Sequence, residues 1–185
     1  MSFDQIDLER LNLLKSKIGE YPDFPKKGIN FKDIFTAFRD GKVCAATKNL
    51  VLNYVKKNHP NIDAVVGLDA RGFLFSFLIA AEMEIGCVPI RKKGKLPGKT
   101  EKVEYNLEYG TDIFEVQSDS IKPGQKVVII DDLLATGGSL KAANELIKKC
   151  GGIVEANIVI LELRSINGRK NLDVPVFSFI QYADE

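Results

Sequence analysis

The chain has 185 residues, a length that suits one α/β domain with a sizeable hydrophobic core. Its net charge is +1, from 26 basic and 25 acidic side chains, so we expect no nucleic-acid partner, since non-specific nucleic-acid binders are normally more basic. We also expect no signal peptide and no membrane span, because the start MSFDQIDLER is charged and apolar runs stay well below ~20 residues.

The cysteines and the histidine narrow the class of protein and the kinds of site it can contain. Cys44, Cys87 and Cys150 are odd in number and far apart, which predicts reduced core thiols of a cytoplasmic protein rather than a disulfide framework or a zinc site. The chain has one histidine, His59, so multi-histidine metal centres are excluded.

The first third of the chain predicts two helices separated by an extended segment. Apolar residues at helical spacing, from Ile6 to Ile18, indicate an amphipathic helix that Gly19 ends. Residues 21–34 (YPDFPKKGINFKDI) are broken by prolines and predict extended structure. A second helix is predicted over about 42–57.

The rest alternates strands with helices. Helices are predicted at FLFSFLIAAEM and SLKAANELIKKC, and strands at 64–68, 86–90, 126–130, 154–163 and 174–180. Near-continuous apolar strands separated by helices predict an α/β fold with a mostly parallel central sheet flanked by helices. We interpret residues 1–185 as a single domain. The polar, glycine-broken stretch 91–110 predicts a long, flexible loop that closes over a site.

The sequence VVIIDDLLATGGSL, residues 127–140, is a buried strand followed by a glycine turn and a helix. Such a turn presents free backbone N–H groups and the positive end of the helix dipole, a common geometry for binding phosphate. Gly137 and Gly138 let the backbone approach a ligand, while Thr136 and Ser139 add hydroxyl donors; Ser139 could also cap the helix.

Asp131 and Asp132 precede this turn at the carboxyl end of the strand, where open α/β sheets bind ligands. An unpaired carboxylate pair there is costly unless something binds it, and ionised carboxylates only accept hydrogen bonds. The hydroxyl groups of a pentose fit them. Phosphate on the turn and a sugar on the acids together indicate a ribose 5-phosphate.

The same stretch resembles the phosphoribosyl pyrophosphate (PRPP) binding motif of the type I phosphoribosyltransferase family. DFPKKGINFKDI, GLDARGFLF, IRKKGKLPG and LEYG resemble, in the family's order, an N-terminal hood (about residues 20–35), the pyrophosphate turn and the two ends of a catalytic loop (about 91–110). The match is strongest to members that act on adenine. It implies that adenine and PRPP react to give AMP and pyrophosphate, with Mg²⁺ carried on the pyrophosphate and no separate protein metal site.

The resemblance also implies where PRPP and AMP bind. Arg71, Arg91, Lys92 and Lys95 are expected on the pyrophosphate, and Lys95 could reach it from a partner subunit. Asp131 and Asp132 are expected to hold the ribose. The complete expected set is Arg71, Arg91, Lys92, Lys95, Tyr109, Asp131, Asp132, Ala135, Thr136, Gly137, Gly138 and Ser139.

The base site and the acid–base group follow from the same resemblance. Adenine is expected against Phe31 and Leu163, with Ile29, Asn30 and Lys32 in the hood. Glu108 is expected to donate or hold the proton at the base, so Glu108 and Arg71 are the catalytic candidates. The resemblance further implies a cis peptide bond between Asp69 and Ala70, and a homodimer.

Proteins with two other functions carry the same phosphate turn. Another purine phosphoribosyltransferase would normally lack the DFPKKGINFKDI hood. A non-catalytic regulator that binds PRPP would usually carry an added DNA-binding domain, for which 185 residues leave little room. The hood and the LEYG stretch favour an enzyme that acts on adenine.

Overall fold

The structure is a computed structural model that describes residues 3–106 and 111–183. Its helices are α1 Gln5–Lys15, α2 Ile34–Ala37, α3 Gly41–Asn58, α4 Phe73–Met83 and α5 Gly138–Lys149. Its strands are β1 Gly19–Pro22, β2 Asn30–Asp33, β3 Ala64–Leu68, β4 Gly86–Lys92, β5 Thr100–Asn106, β6 Thr111–Gln117, β7 Lys126–Leu134, β8 Ile153–Leu163 and β9 Val176–Tyr182.

The described strands form a seven-stranded sheet in the order β5-β6-β4-β3-β7-β8-β9, and β1 and β2 form an antiparallel hairpin in the hood. β4, β3, β7, β8 and β9 are mutually parallel, whereas β5 and β6 are antiparallel additions at one edge. The mostly parallel α/β sheet predicted from the sequence is therefore confirmed.

Alternate residues of β3, β7 and β8 build two hydrophobic layers, one on each face of the sheet. On one face, Val65 and Val128 pack with residues of α1, α3 and α4. On the other, Val66 and Ile129 pack with α5, including Leu146. Because successive strand side chains point to opposite faces, a parallel strand covered on both sides must be apolar throughout, as AVVGL in β3 is.

The prediction of one irregular loop over residues 91–110 was wrong for most of its described part. β4 continues through Lys92, and residues 100–106 form β5, which pairs along its whole length with β6. Charged and apolar residues alternate here, so Val103, Tyr105 and Phe114 are buried although the segment is polar on average. Alternation with a period of two predicts a strand, but the high average polarity of this segment led to the prediction of a loop.

The cysteines also differ from the prediction of core thiols. All three are free, but Cys44 and Cys87 are exposed and Cys150 is half-buried. Cys87 precedes the buried Val88 in β4, and so it points to the opposite face of that strand.

A buried carboxylate holds the connection between β4 and β5. Glu115 of β6 is 1% exposed, and its Oε1 accepts hydrogen bonds from the backbone N–H groups of Lys95 and Leu96, both at 2.9 Å. Burial opposes ionisation of Glu115, but these backbone donors and the nearby Lys102 outweigh it and lower its pKa. A lowered pKa means that the ionised form stabilises this connection above the ordinary glutamate range, and that the contribution is lost as pH falls through the lowered value.

We therefore expect Glu115→Gln to release residues 94–98 at neutral pH. The amide hydrogens of Lys95 and Leu96 should exchange about 10-fold faster, since a hydrogen bond to a charged acceptor contributes about 1.5–3 kcal/mol and one to the neutral amide oxygen of Gln only about 0.5–1.5 kcal/mol. Hydrogen exchange read by NMR measures this. Glu104→Gln, an exposed change on the neighbouring strand, is the control and should leave both amides unchanged. Equal exchange in the two variants would contradict the role of Glu115.

Candidate active site

A cavity of about 730 Å³ opens at the carboxyl ends of β3 and β7, the edge at which open α/β sheets bind ligands. Three segments meet there: the turn after β3, the turn between β7 and α5, and side chains from the antiparallel arm of β5 and β6. The lining residues are Asp69, Ala70, Arg71, Lys92, Lys95, Tyr105, Phe114, Asp131, Asp132, Leu133, Leu134, Ala135, Thr136, Gly137, Gly138, Ser139 and Leu140.

The turn between β7 and α5 has the geometry of an anion cradle. Gly137 occupies the N-cap position with φ 84°, and no side chain caps the helix, so Ser139 does not take the capping role considered for it. The first intrahelical bond is donated by the N–H of Lys141 to the carbonyl of Gly137. The N–H groups of the preceding helical residues have no helical acceptor, which leaves them available to an anion.

The two acids at the end of β7 have different environments. Asp132 is 6% exposed, and its Oδ2 accepts a hydrogen bond from Nε of Arg71 at 2.5 Å. Asp131 also lines the cavity, and its Oδ1 accepts a bond from the backbone N–H of Asp132 at 2.9 Å. Desolvation and the charge of Asp132 raise the pKa of Asp131 well above its ordinary value. Asp131 is therefore the acid of the two whose charge is less compensated by neighbouring protein groups.

Basic side chains lie close together around the turn after β3. Its Asp69–Ala70 peptide bond is cis, which confirms the prediction. Nε of Arg91 lies 3.2 Å and Nζ of Lys95 lies 3.5 Å from Oδ2 of Asp69, whose side chain is 8% exposed. Lys95 thus contacts an acid of its own chain.

Glycine is required where this turn meets β7. A Cβ added to Gly72 would lie 2.6 Å from the carbonyl oxygen of Ile130, so no side chain fits between them. The turn is held against the strand that carries the two acids.

Tyr105, in β5, lines the cavity and was not predicted as a site residue. Its ring packs on Phe114 at 4.5 Å between centroids, and its hydroxyl donates to Oδ2 of Asp112 at 3.4 Å. Burial and then the charge of Asp112 raise the pKa of Tyr105 to about 12, so the hydroxyl remains a donor at neutral pH. The same Asp112 holds Nζ of Lys92 at 2.8 Å. The alternation of KVEY was the available signal for Tyr105, but the expectation of an irregular loop hid it.

The predicted base-site residues lie outside this cavity. Phe31 packs edge-on against Phe24 at 5.2 Å, and Ile29 is 38% exposed. Asn30 and Lys32 both bind Glu20 across the hairpin, at 3.3 and 3.1 Å.

The hood nevertheless reaches the same edge of the sheet. Nζ of Lys32 lies 4.6 Å from the centre of the Tyr182 ring, and Tyr182 pairs with Leu163 in the sheet. Leu134 of the cavity pairs with Glu162, the neighbour of Leu163. The predicted phosphate and base residues therefore lie side by side along one edge.

The comparisons with known proteins agree with this geometry. The family described as "Phosphoribosyl transferase domain" matches residues 41–181. Adenine phosphoribosyltransferase of Drosophila pseudoobscura is 55% identical over 174 residues, covering 94% of this chain and 96% of that protein. This chain belongs to the type I phosphoribosyltransferase family.

Solved structures of family members match more than nine-tenths of this chain. Adenine phosphoribosyltransferase of Saccharomyces cerevisiae, complexed with an imino-altritol bisphosphate and adenine, has a TM-score of 0.90 and 38% identity, covering 93% of this chain and 99% of that chain. The Trypanosoma brucei enzyme, in complex with AMP, pyrophosphate and ribose-5-phosphate, has a TM-score of 0.84 and 25% identity, covering 100% and 85%. The family's type I fold is confirmed.

Two predicted site residues, Glu108 and Tyr109, lie outside the described residues. Within the described part, no helix combines the length and apolarity needed to cross a membrane.

Asp131 provides a direct test of the site electrostatics. Because its pKa is raised in the folded protein, its ionisation costs stability above that raised value, and the cost is absent below the ordinary aspartate pKa of about 3.9, where it is protonated folded and unfolded alike. Asp131→Asn should therefore raise Tm by about 2–4 °C at pH 7.5, the shift expected for roughly 1 kcal/mol in a chain of this size.

At about pH 3.5 the gain should disappear. Differential scanning calorimetry at the two pH values measures this, with the exposed Asp119→Asn as the control that changes neither Tm. A variant that is less stable than the parent at pH 7.5 would show that Asp131 is not electrostatically strained.

Proposed function

We propose that this protein transfers the 5-phosphoribosyl group from PRPP to adenine, forming AMP and pyrophosphate in purine salvage. The observation that carries the proposal is that, among the described residues, a helix N-terminus, two carboxylates and several cations converge on one cavity. This arrangement matches the three parts of PRPP, namely the 5-phosphate, the ribose hydroxyls and the pyrophosphate. The curated relatives named as adenine phosphoribosyltransferases and the adenine-containing yeast structure support adenine as the acceptor.

In the proposed reaction the bond between C1 of the ribose and the pyrophosphate oxygen breaks, N9 of adenine forms the new bond to C1, and adenine gives up one ring proton to the acid–base group. The leaving pyrophosphate gains negative charge while the sugar becomes cation-like. Arg71, Arg91, Lys92 and Lys95 would stabilise the leaving group, and preorganised charge of this kind is often the largest catalytic contribution.

The carboxylates of Asp131 and Asp132 would act at the ribose end of the site. Asp131, whose ionised form is poorly compensated by neighbouring protein groups, would accept hydrogen bonds from the ribose hydroxyls. Asp132 would keep Arg71 in position. Ala135, Thr136, Gly137, Gly138 and Ser139 would hold the 5-phosphate through backbone N–H groups and two hydroxyls.

Magnesium is proposed to arrive with PRPP. Among the described residues, no group of three or more His, Cys, Asp or Glu side chains could hold a metal ion unaided. The ion favours oxygen ligands and substrate phosphates. Asp131 and Asp132 could contact it through water, and its charge would offset that of the pyrophosphate.

The remaining roles rest on the family resemblance. Glu108 is proposed as the acid–base group at the edge of the base, and Tyr109 as a residue that packs over the closed site. Ile29, Asn30, Phe31, Lys32 and Leu163 are proposed to enclose adenine. The free thiols of Cys44, Cys87 and Cys150 favour a cytoplasmic location.

The direct test is to mix the protein with PRPP, Mg²⁺ and each purine base and to identify the nucleotide. We expect AMP from adenine and little product from hypoxanthine or guanine. Arg71→Met should lower kcat/KM by about 10²–10³-fold, the usual loss for a donor to developing charge. Arg10→Met, on α1 and away from the cavity, is the control that should retain activity. Comparable turnover of hypoxanthine would reassign the acceptor.

A homodimer is proposed from an uncovered apolar face. α4 is apolar on nearly all sides, yet Leu74, Phe77 and Leu78 are 42%, 67% and 45% exposed, and Phe35 beside them is 50% exposed. Apolar grooves of about 260 Å³ and 490 Å³ flank this helix. A helix that is apolar all round is normally buried, and a second copy of the chain would cover it.

We therefore expect light scattering to give the mass of two chains for the parent protein and of one chain for Phe77→Glu. The matched control is Ile6→Glu, which places the same charge on a residue that is 59% exposed but lies outside this face. It should remain dimeric. A parent protein that is monomeric at working concentration would overturn the proposal.

A further inference from the structure

The turn Gly168–Asn171 lies between β8 and β9, takes no part in the proposed chemistry and packs directly on the phosphate turn. Gly168 is buried, and a Cβ added to it would lie 2.0 Å from the carbonyl oxygen of Ala135 and 2.9 Å from the nitrogen of Gly137. Backbone is therefore in contact with backbone, and no side chain fits between the two turns.

The contact requires glycine on both sides. A Cβ on Gly137 would lie 2.6 Å from the carbonyl oxygen of Gly168, and Gly137 also has a φ of 84°, which favours glycine. Next to this contact, Nδ2 of Asn171 donates a hydrogen bond to the carbonyl oxygen of Thr136 at 2.9 Å. That bond fixes the orientation of the peptide between Thr136 and Gly137, in the middle of the anion cradle.

Arg169 anchors the same turn to the sheet. Its guanidinium forms a two-pronged pair with Glu162 of β8, with Nε to Oε1 at 2.5 Å and Nη2 to Oε2 at 2.6 Å. Its Nη1 donates to the carbonyl of Val176 at 2.7 Å, and Nη2 also donates to Oγ of Ser178 at 2.9 Å. Strands β8 and β9 are thus both tied to the turn.

The pair is ionised although Glu162 is only 2% exposed. Burial opposes the charge of Glu162, but Arg169 and Ser178 outweigh it and lower its pKa. Glu162 precedes Leu163, the residue proposed to cover the base. One turn therefore contacts the phosphate cradle at one end and the strand that leads to the base site at the other.

We propose that the turn Gly168–Asn171 is a brace that sets phosphate affinity, with Asn171 as the positioning residue for the cradle and Arg169 as its anchor. The brace holds the phosphate end and the base end of the nucleotide site at a fixed separation. This inference rests on the proposed function only in that the anion is the 5-phosphate of PRPP or AMP.

The test is Asn171→Ala, with KM for PRPP and kcat from the AMP-forming assay and Kd for AMP from calorimetry. Loss of one neutral hydrogen bond that orders the cradle should raise KM for PRPP and Kd for AMP by roughly 3- to 10-fold. We expect kcat to stay within about twofold and Tm to be unchanged, because Asn171 is exposed. Ser165→Ala, an exposed change in the preceding turn, is the control and should alter none of these values.

A second variant tests the anchor. Arg169→Lys keeps a positive charge beside Glu162 but cannot form the two-pronged pair, so Kd for AMP should rise in the same direction. If Asn171→Ala leaves both KM and Kd unchanged, or lowers kcat and Tm without changing KM, the brace is only structural and the proposal fails. A parent protein that binds AMP but does not form it from adenine would instead defeat the proposed reaction, and the AMP affinities would still decide on the brace.

Discussion

The ion pair between Arg71 and Asp132 is the interaction on which the rest of the site depends. It joins the turn after β3 to the end of β7, two strands that are neighbours in the sheet. Asp132 is buried, so removal of Arg71 would leave an uncompensated carboxylate, which is strongly unfavourable in a protein interior. With Asp132 occupied in this way, Asp131 is left to face the cavity, and Arg71 is held at the rim of the cavity.

The other cations are held by the same principle. Asp69 positions Arg91 and Lys95, and Asp112 positions Lys92 and accepts a bond from Tyr105. Charge that is ordered before a ligand arrives needs little reorganisation when negative charge develops on a leaving group. The arrangement also explains why two acids lie beside an anion cradle. One maintains a cation, and we propose that the other accepts hydrogen bonds from the neutral, hydroxyl-bearing part of a ligand whose charged groups would bind on either side.

The edge of the parallel sheet determines how these parts are spaced. β3, β7, β8 and β9 all end there, so their terminal residues lie side by side without long loops. The cradle follows β7, the brace follows β8, and the hood contacts Tyr182 at the end of β9. The rigid strands thus fix the distances between the cradle, the brace and the hood.

The sequence by itself determined the class of fold and the chemistry of the central turn. Apolar strands separated by helices admit few arrangements, and VVIIDDLLATGGSL places acids, glycines and hydroxyls within one short stretch, where local geometry decides their relation. Local patterns also placed α3, α4 and α5 nearly at their observed bounds. The family resemblance, rather than any pattern of spacing, led to Arg71 and to the cis bond at Ala70.

Tertiary structure decided what depends on pairing between distant segments. β5 was missed because its segment is polar on average despite the alternation, whereas the position of Tyr105 at the cavity follows from the pairing of β5 with β6. The link from Asn171 to Thr136 spans 35 positions, and that from Arg71 to Asp132 spans 61. A side chain's partner and burial, and hence its pKa, follow from which strands lie side by side, and no short stretch of sequence contains that information.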